Sequence, residues 1–94
     1  MEIIWRSAAL NNLEAIREFI AHDNTEAAIR MRASIRTAVS RLANYPDLGR
    51  AGRVEGTREL AISHTPYLIA YRVIEDQVRI LAIMHTSQQW PERF

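Results

Sequence analysis

His85 is the side chain best suited to proton transfer: it ends an apolar run, Gln77–His85, and imidazole titrates near neutral pH. Arg58, Arg72 and Arg79 fall in the same group of apolar runs, where guanidinium groups can stabilise charge developing on a phosphate. Arg53 precedes them in a segment punctuated by Gly49, Gly52 and Gly56. Two readings of His85 stand side by side, a general acid or base and a strand-end side chain bonded to its neighbour. Other chemistries fit poorly. There is no cysteine, and none of Ser7, Ser34, Ser40, Ser63 and Ser87 sits in a nucleophile-elbow context. Three scattered histidines predict no metal site, and the glycine pattern matches neither a P-loop nor a dinucleotide fingerprint, so no cofactor is expected. Among the acids of this region, Glu59 is expected to pair with Arg72 across a hairpin.

The elements that must position these residues are three runs rich in β-branched and large apolar side chains, Thr57–Ser63, Tyr67–Ile74 and Gln77–His85. Breaks at His64-Thr65-Pro66 and Glu75-Asp76 make them a three-stranded antiparallel meander. With Glu75-Asp76 as the turn, Val73 faces Val78, Tyr71 faces Ile80, Ile69 faces Ala82 and Tyr67 faces Met84, an entirely apolar surface. The opposite surface then mixes Leu68, Ala70, Leu81 and Ile83 with Arg72, Arg79 and His85. Such a face suits either a groove awaiting a foreign segment or a sheet covered by the chain's own end.

Before the meander, Met1–Arg6 reads as a short strand. Ser7 is a candidate N-cap for a helix over about Ala8–Ala21 with Leu10, Leu13, Ile16, Phe19 and Ile20 at helical spacing. Asp23 or Asn24 caps a second helix, about Thr25–Asn44, whose apolar stripe is Ala28, Met31, Ile35, Val39 and Leu42; Pro46 stops it. The segment from Asp47 to Gly56 reads as a flexible, arginine-bearing connection. The fold class is α+β: a short N-terminal strand, an antiparallel two-helix hairpin and the meander.

Ninety-four residues predict one domain with one core. No apolar run approaches the roughly 20 residues that span a bilayer, so a cytoplasmic protein without membrane anchor is expected. Charge is uneven: Arg6 and Arg17 stand against Glu2, Glu14, Glu18, Asp23 and Glu26, whereas Arg30, Arg32, Arg36, Arg41, Arg50 and Arg53 stand against Asp47 alone. The basic middle suits an acidic protein partner or a phosphate backbone. All twelve basic residues are arginine, the cation of bidentate and interfacial contacts.

This order of elements, with Gly52-Arg53-Val54-Glu55-Gly56-Thr57-Arg58, Thr65-Pro66-Tyr67-Leu68-Ile69-Ala70-Tyr71-Arg72-Val73, Arg79-Ile80-Leu81-Ala82-Ile83-Met84-His85-Thr86 and Trp90-Pro91, resembles the RelE/ParE superfamily of bacterial type II toxins. The resemblance covers essentially the whole chain. It implies a toxin held in a hetero-oligomer by an acidic, partly disordered antitoxin that folds onto the second helix (Arg32, Arg36) and the mixed sheet face (Leu68, Arg72, Arg79, Leu81, Ile83). It also implies one of two targets: DNA gyrase, poisoned without catalysis, or mRNA on the ribosome, cut without a metal. The cleaving branch relies on lysines and arginines, two of which would fall at Leu68 and Gln88 here, and the chain has no lysine. That departure favours gyrase; Arg53, Arg58 and His85 are the residues that would carry cleavage instead. A non-toxic interaction domain of the same shape is the third reading.

Overall fold

The structure is a computed structural model describing residues 1–94. Its elements are β1 (Glu2–Trp5), α1 (Ser7–Asp23), α2 (Thr25–Asn44), β2 (Arg50–Ala51), β3 (Arg58–Ala61), β4 (Tyr67–Ile74) and β5 (Gln77–His85). They build a five-stranded sheet in the order β1-β5-β4-β3-β2, in which β1 runs parallel to β5 and the other neighbours are antiparallel. The α+β class and the strand, hairpin and meander order are as the sequence predicts.

Both helices lie on one face. The core gathers Ala9 and Ile16 of α1, Ile35, Val39 and Leu42 of α2, and Ile69, Tyr71, Val78, Ile80 and Ile83 of the sheet. The Asn24 side chain caps α2 by accepting the Ala27 N–H at 3.0 Å. At α1 the expectation fails: the N-cap is Arg6, with no side-chain bond, and Ser7 is already helical. The Arg6 N–H is instead held by the Ile80 carbonyl at 3.0 Å, so β1 pairing sets where the helix begins.

The register of the last hairpin is half as expected. Val73 pairs with Val78 and Tyr71 with Ile80, but beyond a bulge between Ala70 and Tyr71 the partners become Ala70–Ala82, Ile69–Ile83, Leu68–Met84 and Tyr67–His85. Nine residues of β5 face eight of β4 across a two-residue turn, which leaves Leu81 over. The slip turns Ile83 and His85 to the helix side and Ala82 and Met84 to the outer side.

The Asp47–Gly56 connection is pinned rather than free. It contributes β2, which pairs with β3. The buried Tyr71 hydroxyl donates to the Pro46 carbonyl at 2.7 Å and accepts the Gly49 N–H at 2.8 Å. A Cβ on Gly49 would lie 2.7 Å from that hydroxyl and 2.9 Å from the Glu59 carbonyl, so only glycine allows the chain this close.

Candidate functional site

The outer face of the sheet is divided in two. Over β4 and β5 lies a small second core of Leu68, Ala70, Ala82 and Met84, and the chain's end covers it through Trp90 and Phe94. These two rings meet edge to face with centroids 6.2 Å apart. Beside them the Arg53 guanidinium lies 3.9 Å above the Trp90 ring. Of the two readings of the mixed face, cover by the chain's own end holds for this half; the antitoxin-contact expectation is corrected for Leu68, which is under the tail, and for Ile83, which belongs to the helix-side core.

Glu59 is the hinge of this covered half. In register with Ala70 rather than set against Arg72, its side chain is 2% exposed. It accepts the Arg53 N–H at 2.8 Å and Nε at 3.2 Å, and the Arg50 guanidinium at 3.3 Å. Burial alone raises its carboxyl, but the Arg53 N–H and the Arg53 and Arg50 guanidinium groups outweigh that and hold it below the ordinary carboxylate range. The sequence placed Glu59 beside an arginine but not beside these, because the partners arrive through the turn at Gly52 and Thr57.

The other half, towards β1, is open. Arg72 and Arg79 stand directly opposite each other on the outer face, as expected. With Arg6, Ile4, Gln77, Leu81 and Phe94 they line a depression of about 580 Å³. On the far side of the molecule a groove of about 430 Å³ runs between α1 and α2, lined by Ala21, Thr25, Ala28, Ile29 and Ala33 and flanked by Arg17, Arg32 and Arg36. Ile29 is 65% exposed in it, and Phe19 of α1 is 73% exposed, both unusual for side chains of that size. Arg32 and Arg36 thus border one apolar trough, which the sequence indicated only as a shared cationic face.

The three residues considered for cleavage do not converge. Arg53 is on the outer face, held by Glu59 and Trp90. Arg58 lies opposite Tyr71 on the helix side, donating to the Gly49 carbonyl at 2.8 Å and pairing with Asp47 at 3.5 Å. His85 lies opposite Tyr67, edge to face with its ring at 5.2 Å, and its Nδ1 accepts the Ser87 N–H at 3.0 Å. Two strand spacings and four residues of rise along β4 separate Arg58 from His85, roughly 16 Å. No group of three or more His, Cys, Asp or Glu side chains is gathered as a metal site, and no helix is long and apolar enough to cross a membrane.

Known proteins share this architecture and sequence. A chain of the chromosomal ParDE TA system from P. aeruginosa superposes with a TM-score of 0.80 at 26% identity, covering 90% of this chain and 95% of that one. Y4kP of Sinorhizobium fredii, provisionally named a toxin, is 48% identical over 90 residues, 96% of this chain and 93% of the relative. Toxin RelE2 of Caulobacter vibrioides is 37% identical over 87 residues, 93% of this chain and 97% of the relative. The family model for the ParE toxin of the type II toxin-antitoxin system parDE matches residues 3–90. With the fold, the sequence relatives and the family pattern in agreement, the chain belongs to the ParE family of type II toxins.

Proposed function

We propose that this toxin arrests growth by binding DNA gyrase rather than by cutting RNA, and that its antitoxin docks as an acidic, amphipathic helix in the trough between α1 and α2. The dispersal of Arg53, Arg58 and His85 carries the first part. Each is committed to a bond within the fold, and the depression that holds the open arginines is lined by no acidic side chain or imidazole to move a proton. An apolar trough flanked by Arg17, Arg32 and Arg36 supports the second, since an amphipathic helix with carboxylates on its rims matches it in shape and in charge. The name of the RelE2 relative favours ribosome-dependent cleavage as the other reading.

Purified toxin added to gyrase-driven supercoiling, and in parallel to programmed ribosomes, separates the two. The expected result is loss of supercoiling with intact mRNA. Cleaved mRNA that disappears in His85→Ala, with supercoiling untouched, reverses the assignment.

A further inference from the structure

Arg72 and Arg79 oppose each other across β4 and β5, an arrangement that costs stability because like charges on directly opposite strand positions repel. Nothing in the chain neutralises them. Arg72 uses its Nε on the Gly56 carbonyl at 3.4 Å and Arg79 its Nε on Gln77 at 3.2 Å, leaving the terminal amino groups of both without a hydrogen bond. Arg6, on the same face two residues beyond Ile4, makes no side-chain bond at all. No carboxylate, Phe94's own terminal one included, forms an ion pair with any of the three. The acid on this part of the face, Glu2, is held by the Gln77 amide at 3.1 Å.

We infer that Arg6, Arg72 and Arg79 form a nucleic-acid docking site that takes backbone phosphates, distinct from the antitoxin trough on the opposite side of the sheet. Guanidinium forks with free terminal amino groups suit bidentate contact with phosphate oxygens. The walls of the same depression are Ile4, Leu81 and Phe94, apolar surfaces against which a sugar or base can lie, and stacking on an aromatic ring beside a cationic groove is how single strands are commonly held. The depression is lined by no acidic side chain or imidazole, and the site is assigned binding alone. The inference goes beyond the choice of target: it concerns a surface of the free toxin, and neither gyrase nor antitoxin enters its test.

The test is fluorescence anisotropy of the full chain with a labelled 20-nucleotide single strand and a 20-base-pair duplex between 20 and 200 mM salt. A decaglutamate peptide serves as competitor. Each of Arg6→Gln, Arg72→Gln and Arg79→Gln is expected to weaken binding roughly three- to tenfold at low salt and to flatten the slope of log K against log salt by about 0.7–0.9. Arg30→Gln, which removes the same charge from the exposed side of α2, is expected to leave both unchanged. Single strand binding better than duplex assigns the apolar walls to bases; equal binding assigns the site to the backbone alone, and either supports it. No binding at 20 mM salt, losses as large in Arg30→Gln, or equally effective competition by decaglutamate overturns the inference. All three arginines have partly or fully exposed side chains, and thermal melts establish that the variants fold; Arg72→Lys and Arg79→Lys, which keep charge but not the fork, are expected to retain the salt slope while losing part of the affinity.

Discussion

At the scale of single residues, Glu59 is the side chain on which most depends. It is a nearly inaccessible carboxylate whose four hydrogen-bond donors belong to Arg53 and Arg50. Glu59→Gln replaces an all-acceptor group with an amide whose NH2 must face those donors, so a buried N–H loses its partner. The expected cost is about 1–3 kcal/mol, a fall in melting temperature of roughly 4–8 °C per kcal/mol for a chain of this size. The pH dependence has a definite sign. The folded carboxyl lies below its unfolded value, so its contribution is complete above the ordinary carboxylate range and is lost as pH falls through the folded value. Thermal melts from pH 7 to pH 3 are therefore expected to show the wild type converging on Glu59→Gln as the medium becomes acid. A gap that stays constant over that range means the ionisation of Glu59 contributes nothing to stability.

At the scale of elements, legibility in the sequence follows how local the determinant is. The bounds of α2 could be read directly, because the Asn24 cap and the Pro46 stop act within a few residues of the helix ends. The bulge could not: Ile80, Leu81, Ala82, Ile83 and Met84 are all apolar, so no alternation marks where the period slips. Nor could β2, two residues long and made by partners brought through a loop. The cover of Trp90 and Phe94 was open to either reading, since a polar-looking tail after the last strand reveals nothing of where it folds back. That cover yields its own prediction. Trp90→Ala removes the ring on which Arg53 rests and uncovers Leu68 and Met84, and is expected to cost about 1–3 kcal/mol while raising the binding of a hydrophobic dye to the folded protein. A variant that melts like wild type and binds no more dye means the tail is not held against the sheet in solution.

At the scale of the whole molecule, the sheet separates two cationic surfaces that a net charge of +1 conceals. The candidate residues that looked like one antitoxin contact in the sequence, Arg32 and Arg36 with Arg72 and Arg79, lie on opposite sides of that layer, so one helix in the trough leaves the sheet-side arginines free. Charge reversal tests this division. Arg32→Glu with Arg36→Glu is expected to weaken antitoxin binding by at least about tenfold at 50 mM salt. The loss should shrink towards a few-fold at 0.5 M, where the Debye length falls to about 4 Å and exposed rim charges are screened. Calorimetric titration at both salts measures it, and Arg72→Gln with Arg79→Gln is expected to change the same affinity by less than about twofold at either. If instead the sheet-side pair produces the large, salt-dependent loss and the helix pair does not, the antitoxin lies across the sheet, and the trough of Ala28 and Ile29 has another occupant.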